Sequence, residues 1–189
     1  MATLGTITYL RPCTQADDAF VYDVFCTTWE SEVAALPNQN LAQHVLRIQH
    51  IAQERRFENR YPGYQRYVVV EDGEPAGRLY VHVDGPMMHV IDLTLLPRFQ
   101  GRGIGTRIFR DVCAVAAREG RTVTLRVPRR NVRAAELYVS LGFRLVTVDD
   151  VDSYFEWTAP TNQVKESAVK EAAVKENEAQ LLPEARSSR

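Results

Sequence analysis

The sequence predicts a mixed α/β fold built on one sheet, and three features carry that expectation. Short β-branched runs recur along most of the chain, at "TITYL", "RYVVVED", "GRLYVHV", "HVIDLTLL", "RTVTLRV", "FRLVTV" and "SYFEWT". Between them lie stretches whose apolar residues return at helical spacing. Proline and glycine fall where one kind of run gives way to the other. With 45% hydrophobic and 25% charged residues, the composition is that of an ordinary globular chain. A length of 189 residues suits one domain with some terminal excess.

Each element has its own local reason. "TITYLRP" alternates and stops at a proline, giving a first strand over residues 6–11. Thr14 or Asp17 can cap a helix carrying Phe20, Val21, Val24, Phe25 and then Thr28 or Trp29 at helical spacing. "AALPNQN" ends it. A second helix is expected over residues 41–58, with Leu41, Val45, Ile48 and Ile51 as its apolar stripe, up to "NRYPGY". "RYVVVEDGEPAGRLYVHV" reads as a hairpin closed by Asp72-Gly73-Glu74-Pro75. "DGPMM" turns the chain into "HVIDLTLLP", a strand apolar on both faces and so expected at the centre of a covered sheet. The next helix puts Ile104, Ile108, Val112, Val115 and Ala116 on one side and most of its arginines on the other. "RTVTLRVP" is a strand. "NVRAAELYVSLG" is a helix with Asn131 as N-cap and Gly142 just past its end. Two closing strands bring the expected total to six or seven strands and about four helices.

The domain is expected to span residues 1–160, followed by a charged tail over 161–189. There Val164, Val169 and Val174 recur every five residues, about 140° apart around a helix, and so form no seam. A solvated helical or disordered tail is the plain expectation. The alternative is a helix that contacts a partner subunit in a homodimer.

Several function classes fall away. A net charge of -1 offers no attraction for nucleic acid or an anionic membrane. No run approaches the roughly 18 apolar residues of a membrane span. The amino terminus lacks the pattern of a secretory signal. Cys13, Cys26 and Cys113 are widely spaced, which fits reduced thiols in a cytoplasm better than disulfides or a metal site.

The chemistry concentrates at "FQGRGIGT", residues 99–106. Glycines allow several N–H groups to point into one concavity, and the following helix adds its positive end, which together suit a phosphate. The run lacks the Gly-Lys-Ser/Thr ending of a Walker loop. Thr106 stands where the dinucleotide pattern GxGxxG needs its last glycine. It does match Q/R-x-x-G-x-G/A, through Gln100, Gly103 and Gly105.

Together with Asn131-x-x-Ala134-x-x-Leu137-Tyr138-x-x-x-Gly142-Phe143 downstream, "LTLLPRFQGRGIG" resembles the GNAT N-acetyltransferase family, bacterial members above all. The likeness is specific over residues 93–143. It implies a largely antiparallel sheet with one splayed parallel strand pair, and acetyl-CoA as cosubstrate with no metal. The backbone of Leu93, Thr94 and Leu95 would line the pantetheine arm. Amides of Gly101, Arg102, Gly103, Ile104, Gly105 and Thr106 would hold the pyrophosphate, with Arg102 adding a charge and Gln100, Asn131 and Ala134 close by. A backbone N–H near Leu95 would meet the thioester carbonyl, and Tyr138 would serve the departing thiol. His89 falls where relatives place a base. Strict alternation puts it on one face with Ile91, Leu93 and Leu95 and puts Asp92 on the other. His89, Asp92 and water remain open as base. Cys113 reads as a small core residue, not an acyl carrier. The acceptor is an amine, small or on a protein, and Trp29, Glu30, Glu32, Tyr61 and Tyr64 are its candidate contacts. A non-catalytic acyl-CoA-binding or regulatory module is the alternative.

Overall fold

A computed structural model describes residues 8–160. β1 (Thr8–Pro12) leads through a short 3-10 turn into three helices: α1 (Asp18–Thr27), α2 (Glu30–Ala34) and α3 (Gln39–Arg60). β2 (Gln65–Glu71), β3 (Glu74–Asp84) and β4 (Met87–Leu95) follow as a meander. Then come α4 (Ile104–Arg118), β5 (Thr122–Pro128), α5 (Val132–Ser140), β6 (Arg144–Val148) and β7 (Asp152–Trp157). The seven strands form one sheet in the order β1-β2-β3-β4-β5-β7-β6. The β4–β5 pair is parallel and its neighbours are antiparallel. The expected order of elements is present, with α2 added. Its five residues are too few to show a periodicity. The charged tail over 161–189 lies outside the described residues. No helix among the described residues is long and apolar enough to cross a membrane.

Local chemistry explains the ends of elements. Asp17 accepts from the backbone and hydroxyl of Thr14, both at 2.9 Å, and from both terminal nitrogens of Arg11. These donors hold its carboxyl well below the usual carboxylate range. The β2–β3 turn is tighter than expected, because Glu74 and Pro75 already pair as strand. Asp72 and Gly73 alone make it, with φ of 51° and 84°, and Asp-Gly tolerates that pair of positive angles. The Asn131 side chain accepts from the Ala134 amide at 3.1 Å, and Gly142 has a φ of 86° beyond the end of α5.

The core lies between the sheet and α4. Ile104, Ile108, Val112 and Ala116 are buried there as the helical spacing predicts, against Leu79, Val81, Val90, Val123 and Leu125. α3 packs against its expectation. Leu41, Ile48 and Ile51 are 41%, 61% and 52% exposed. The helix turns His50, Gln53, Glu54 and Phe57 inward, to Phe25, Arg78, Tyr64 and Tyr80 respectively. β3 presents the buried guanidinium of Arg78 on that side, where Gln53 accepts from it, and leaving such a charge without partners costs more than exposing three aliphatic side chains.

β4 and β5 pair only from Met87↔Thr122 to Val90↔Leu125, although both strands continue. The splayed parallel pair is therefore present, and it opens at Ile91.

Candidate active site

The glycine run bridges the end of β4 and the start of α4. The Gln100 side chain donates to the Leu95 carbonyl at 2.8 Å and ties the loop to the strand. Gly101 and Gly103 have φ of 75° and 74°, angles that favour glycine. The amides of residues 101–106 donate to no acceptor among the described residues; the first that does is Arg107, to the Gly103 carbonyl at 3.1 Å. Six N–H groups at a helix N-terminus are thus available to an anion. Arg107 pins the loop from behind, donating to the Arg102 carbonyl at 3.1 Å and to the buried Glu71 carboxylate at 2.7 Å. Arg102 lies over the Phe99 ring and is exposed. Arg133, absent from the expected set, reaches the loop from α5, its guanidinium 3.8 Å from where a Gly101 side chain would begin. This loop suits a pyrophosphate.

Beside it runs the unpaired half of β4. The Leu96 amide donates to the Ala76 carbonyl at 2.9 Å, and β3 and β4 pair through Arg78↔Thr94 and Tyr80↔Asp92. Alternation along an antiparallel pair then turns the main-chain groups of Asp92 and Thr94 toward β3, and those of Leu93 and Leu95 into the gap. The Leu95 carbonyl is taken by Gln100, which leaves the Leu95 amide facing the gap.

Strict alternation fails at Ile91. β3 matches Tyr80 to Asp92 and Val81 to Val90, so Ile91 is an extra residue in β4. The bulge reverses the phase of the strand. His89 and Asp92 therefore share the α3 face, whereas Leu93 and Leu95 pack toward the core. The expectation that Asp92 opposes His89 is corrected by this one inserted residue. Asp92 is committed there, accepting from Arg78 at 2.6 Å and from the Thr94 hydroxyl at 2.9 Å. Arg78 is only 1% exposed and also donates to Gln53 at 2.9 Å.

Tyr138 sits on the opposite side of the sheet. Its ring packs against Phe109, Phe143 and Phe155, with centroids 5.0, 5.8 and 5.8 Å away. Its hydroxyl has no hydrogen-bond partner among the described residues. Burial, reinforced by the charge of Asp92, pushes the phenol up to about 12. Ala134 packs partly against the same core. Cys113 is buried in it, and burial pushes that thiol up to about 12, which removes it as a nucleophile.

On the α3 side a cleft of about 790 Å³ reaches the point where β4 and β5 part, bounded by Val90, Ile91 and Leu125. His89 lines it, with Nδ1 2.6 Å from the Thr124 hydroxyl and its ring against Tyr61 and His82. Burial, and then the charge of His82, pull this imidazole below its ordinary value of 6.5. Of the five expected acceptor contacts, Tyr61 lines the cleft. Tyr64 is bound to Glu54 at 2.7 Å, Trp29 packs on Phe25, Glu32 accepts from Ser31, and Glu30 lies outside the cleft. The helix arginines and Tyr154 that do line it carry no motif, because charged residues on a helix end ordinarily read as solvated.

A family model for the acetyltransferase (GNAT) family matches residues 21–143, from α1 to just past α5. The PaiA N-acetyltransferase from Thermoplasma acidophilum, solved in complex with coenzyme A, superposes with a TM-score of 0.61 at 16% identity, over 81% of this chain and 99% of that one. The ribosomal-protein-S18-alanine N-acetyltransferase from Escherichia coli gives 0.56 at 18% identity, over 82% and 98%. A GNAT family acetyltransferase from Elizabethkingia anophelis with acetyl-CoA bound gives 0.53 at 14% identity, over 80% and 98%. At these identities the structural likeness is one of fold. No curated protein matches the chain in sequence.

Proposed function

This chain belongs to the acetyltransferase (GNAT) family, and from that premise we propose that it transfers an acetyl group from acetyl-CoA to a primary amine by direct attack in a ternary complex. One observation carries the reading. Six unengaged amides over residues 101–106 flank the strand gap from one side, and a cleft holding an uncharged imidazole reaches the gap from the other.

The loop amides, with Arg102 and Arg133, hold the pyrophosphate of acetyl-CoA, and the open edges of Leu93 and Leu95 receive its arm. His89 serves as the base. His89 Nδ1 is within hydrogen-bond distance of the Thr124 hydroxyl. In the tautomer whose Nδ1–H donates there, Nε2 keeps a lone pair for the proton that the attacking amine loses. The Leu95 amide donates to the carbonyl oxygen as negative charge builds there. The C–N bond forms, the C–S bond breaks, and Tyr138 donates a hydrogen bond to the departing sulfur. A phenol near 12 is a weaker acid than an ordinary thiol near 8.5, so it stabilises the thiolate by that bond, and the thiolate takes its proton from solvent. Asp92 stays with Arg78 and orders the strand edge.

Two results are expected. Gly103→Val puts a branched side chain at a φ of 74°, 3.6 Å from the Arg107 guanidinium at its first carbon, and should weaken acetyl-CoA binding at least about 10-fold by calorimetry. Unchanged affinity would remove the pyrophosphate assignment. Thiol release from a panel of amines tests the transfer itself; binding without release from any amine would return the non-catalytic reading.

The pH profile tests the base. His89 must be neutral to act, so kcat/KM rises with pH through a pKa below 6.5 and gains nothing further from this group above it. His89→Gln is expected to lower the rate and erase that acid limb, with the acceptor's own ionisation remaining in both profiles. An identical limb in the variant would assign it elsewhere.

A further inference from the structure

The wall of the cleft facing His89 carries charge that acetyl transfer by itself does not use. Arg56 and Arg60 stand four residues apart on the last turns of α3, and both line the cleft. Neither is ion-paired with a carboxylate among the described residues. Arg60 rests against the Tyr61 ring at 5.6 Å, and its charge is felt at both His89 and Tyr154. The third arginine of the cleft is engaged: Arg126 lies 3.3 Å from Asp152 and 3.5 Å from Asp149, and it donates to the Tyr154 hydroxyl. Asp152, the one carboxylate lining the cleft among the described residues, is thereby drawn to Arg126, which it shares with Asp149. Asp84 acts on His89 from the end of β3 but lies outside the cleft wall.

The C-terminal end of a helix favours a cation, which accounts for an arginine at position 60. It does not account for two guanidinium groups lining one cleft with no ion pair among the described residues. The coenzyme phosphates do not explain them either, since the glycine loop leads into α4, which packs on the face of the sheet opposite α3. Planar guanidinium forks match the paired oxygens of a carboxylate or phosphate.

We infer that the acceptor carries an anionic group besides its amine, a carboxylate or a phosphate, which Arg56 and Arg60 hold while the amine meets His89. This inference rests on the acetyl-transfer reading above. A polyamine or a lysine in a basic peptide would bring positive charge against these two arginines. The cleft volume suits a small molecule or the end of a peptide.

Matched acceptors test it by thiol release with acetyl-CoA: O-phosphoethanolamine against ethanolamine, and phenylalanine against phenylalaninamide. The anionic member of a pair is expected to be preferred by about 10- to 100-fold in kcat/KM. Whichever pair shows the larger preference identifies phosphate or carboxylate. In the Arg56→Gln/Arg60→Gln double variant that preference should collapse toward one, chiefly through KM, and in Arg60→Lys most of it should return. Acetyl-CoA affinity serves as the folding control. Equal or better use of the neutral members by the wild type, or an undiminished preference in the double variant, would overturn the inference and leave acetyl transfer standing. No release from any acceptor by protein that binds acetyl-CoA would overturn both.

Discussion

Tyr138→Phe is expected to lower kcat for thiol release about 100- to 1,000-fold while leaving acetyl-CoA affinity nearly unchanged. The substitution removes one oxygen and little else. The ring keeps its contacts with Phe109, Phe143 and Phe155, so the packing of α5 on α4 and the sheet survives. The hydroxyl makes no hydrogen bond to a described residue, so its loss strands no buried partner. In the proposed mechanism what disappears is the donor to the departing sulfur, and such donors act on charge that exists only in the transition state. A pKa raised to about 12 keeps the proton on the phenol throughout the physiological range, so the effect should be nearly independent of pH below about 10. Steady-state thiol release and calorimetry on the two proteins decide the matter. Equal kcat values would leave Tyr138 a packing residue.

Gly77→Ala is expected to destabilise the protein by about 3 kcal/mol or more, among the larger effects a single methyl group produces. Ala76 is the extra residue between Val69↔Gly77 and Val70↔Pro75, and its carbonyl accepts from Leu96. That bulge draws β3 against the end of β4. A Cβ on Gly77 would fall inside contact distance of the Thr94 carbonyl oxygen, 2.8 Å from Leu95 Cδ2 and 2.9 Å from Leu95 Cα. Two of these three are backbone atoms, which cannot rotate aside, so the strands themselves must part. Denaturant unfolding measures the cost. Because the shift moves the Leu93–Leu95 edge, surviving folded protein should also bind acetyl-CoA more weakly. A stability within about 0.5 kcal/mol of wild type would show that the two strands separate easily.

Much of the fold was legible because it is written locally. The Asn131 cap, the Gly142 stop, the buried stripe of α4 and the Asp-Gly turn depend on residues within a few positions of one another. The glycine loop was legible for the same reason, since its angles and its place before a helix are local properties. Gly77 looked like any strand glycine, because the atoms that forbid a side chain there belong to residues 94 and 95. Arg107 looked like a solvated helix residue, and only the return of β2 brings Glu71 to it.

By itself, then, the sequence determined the order of elements, the parallel pair implied by the family likeness, and where a glycine loop would lead into a helix. All of these follow from periodicity, capping and backbone angles over short spans. Tertiary structure alone decided that α3 turns Gln53 and Glu54 inward, that Ile91 bulges and puts His89 and Asp92 on one side, and that Arg56 and Arg60 line the cleft without an ion pair among the described residues. Those outcomes depend on which distant groups need partners once buried, and a linear chain does not say who its neighbours will be.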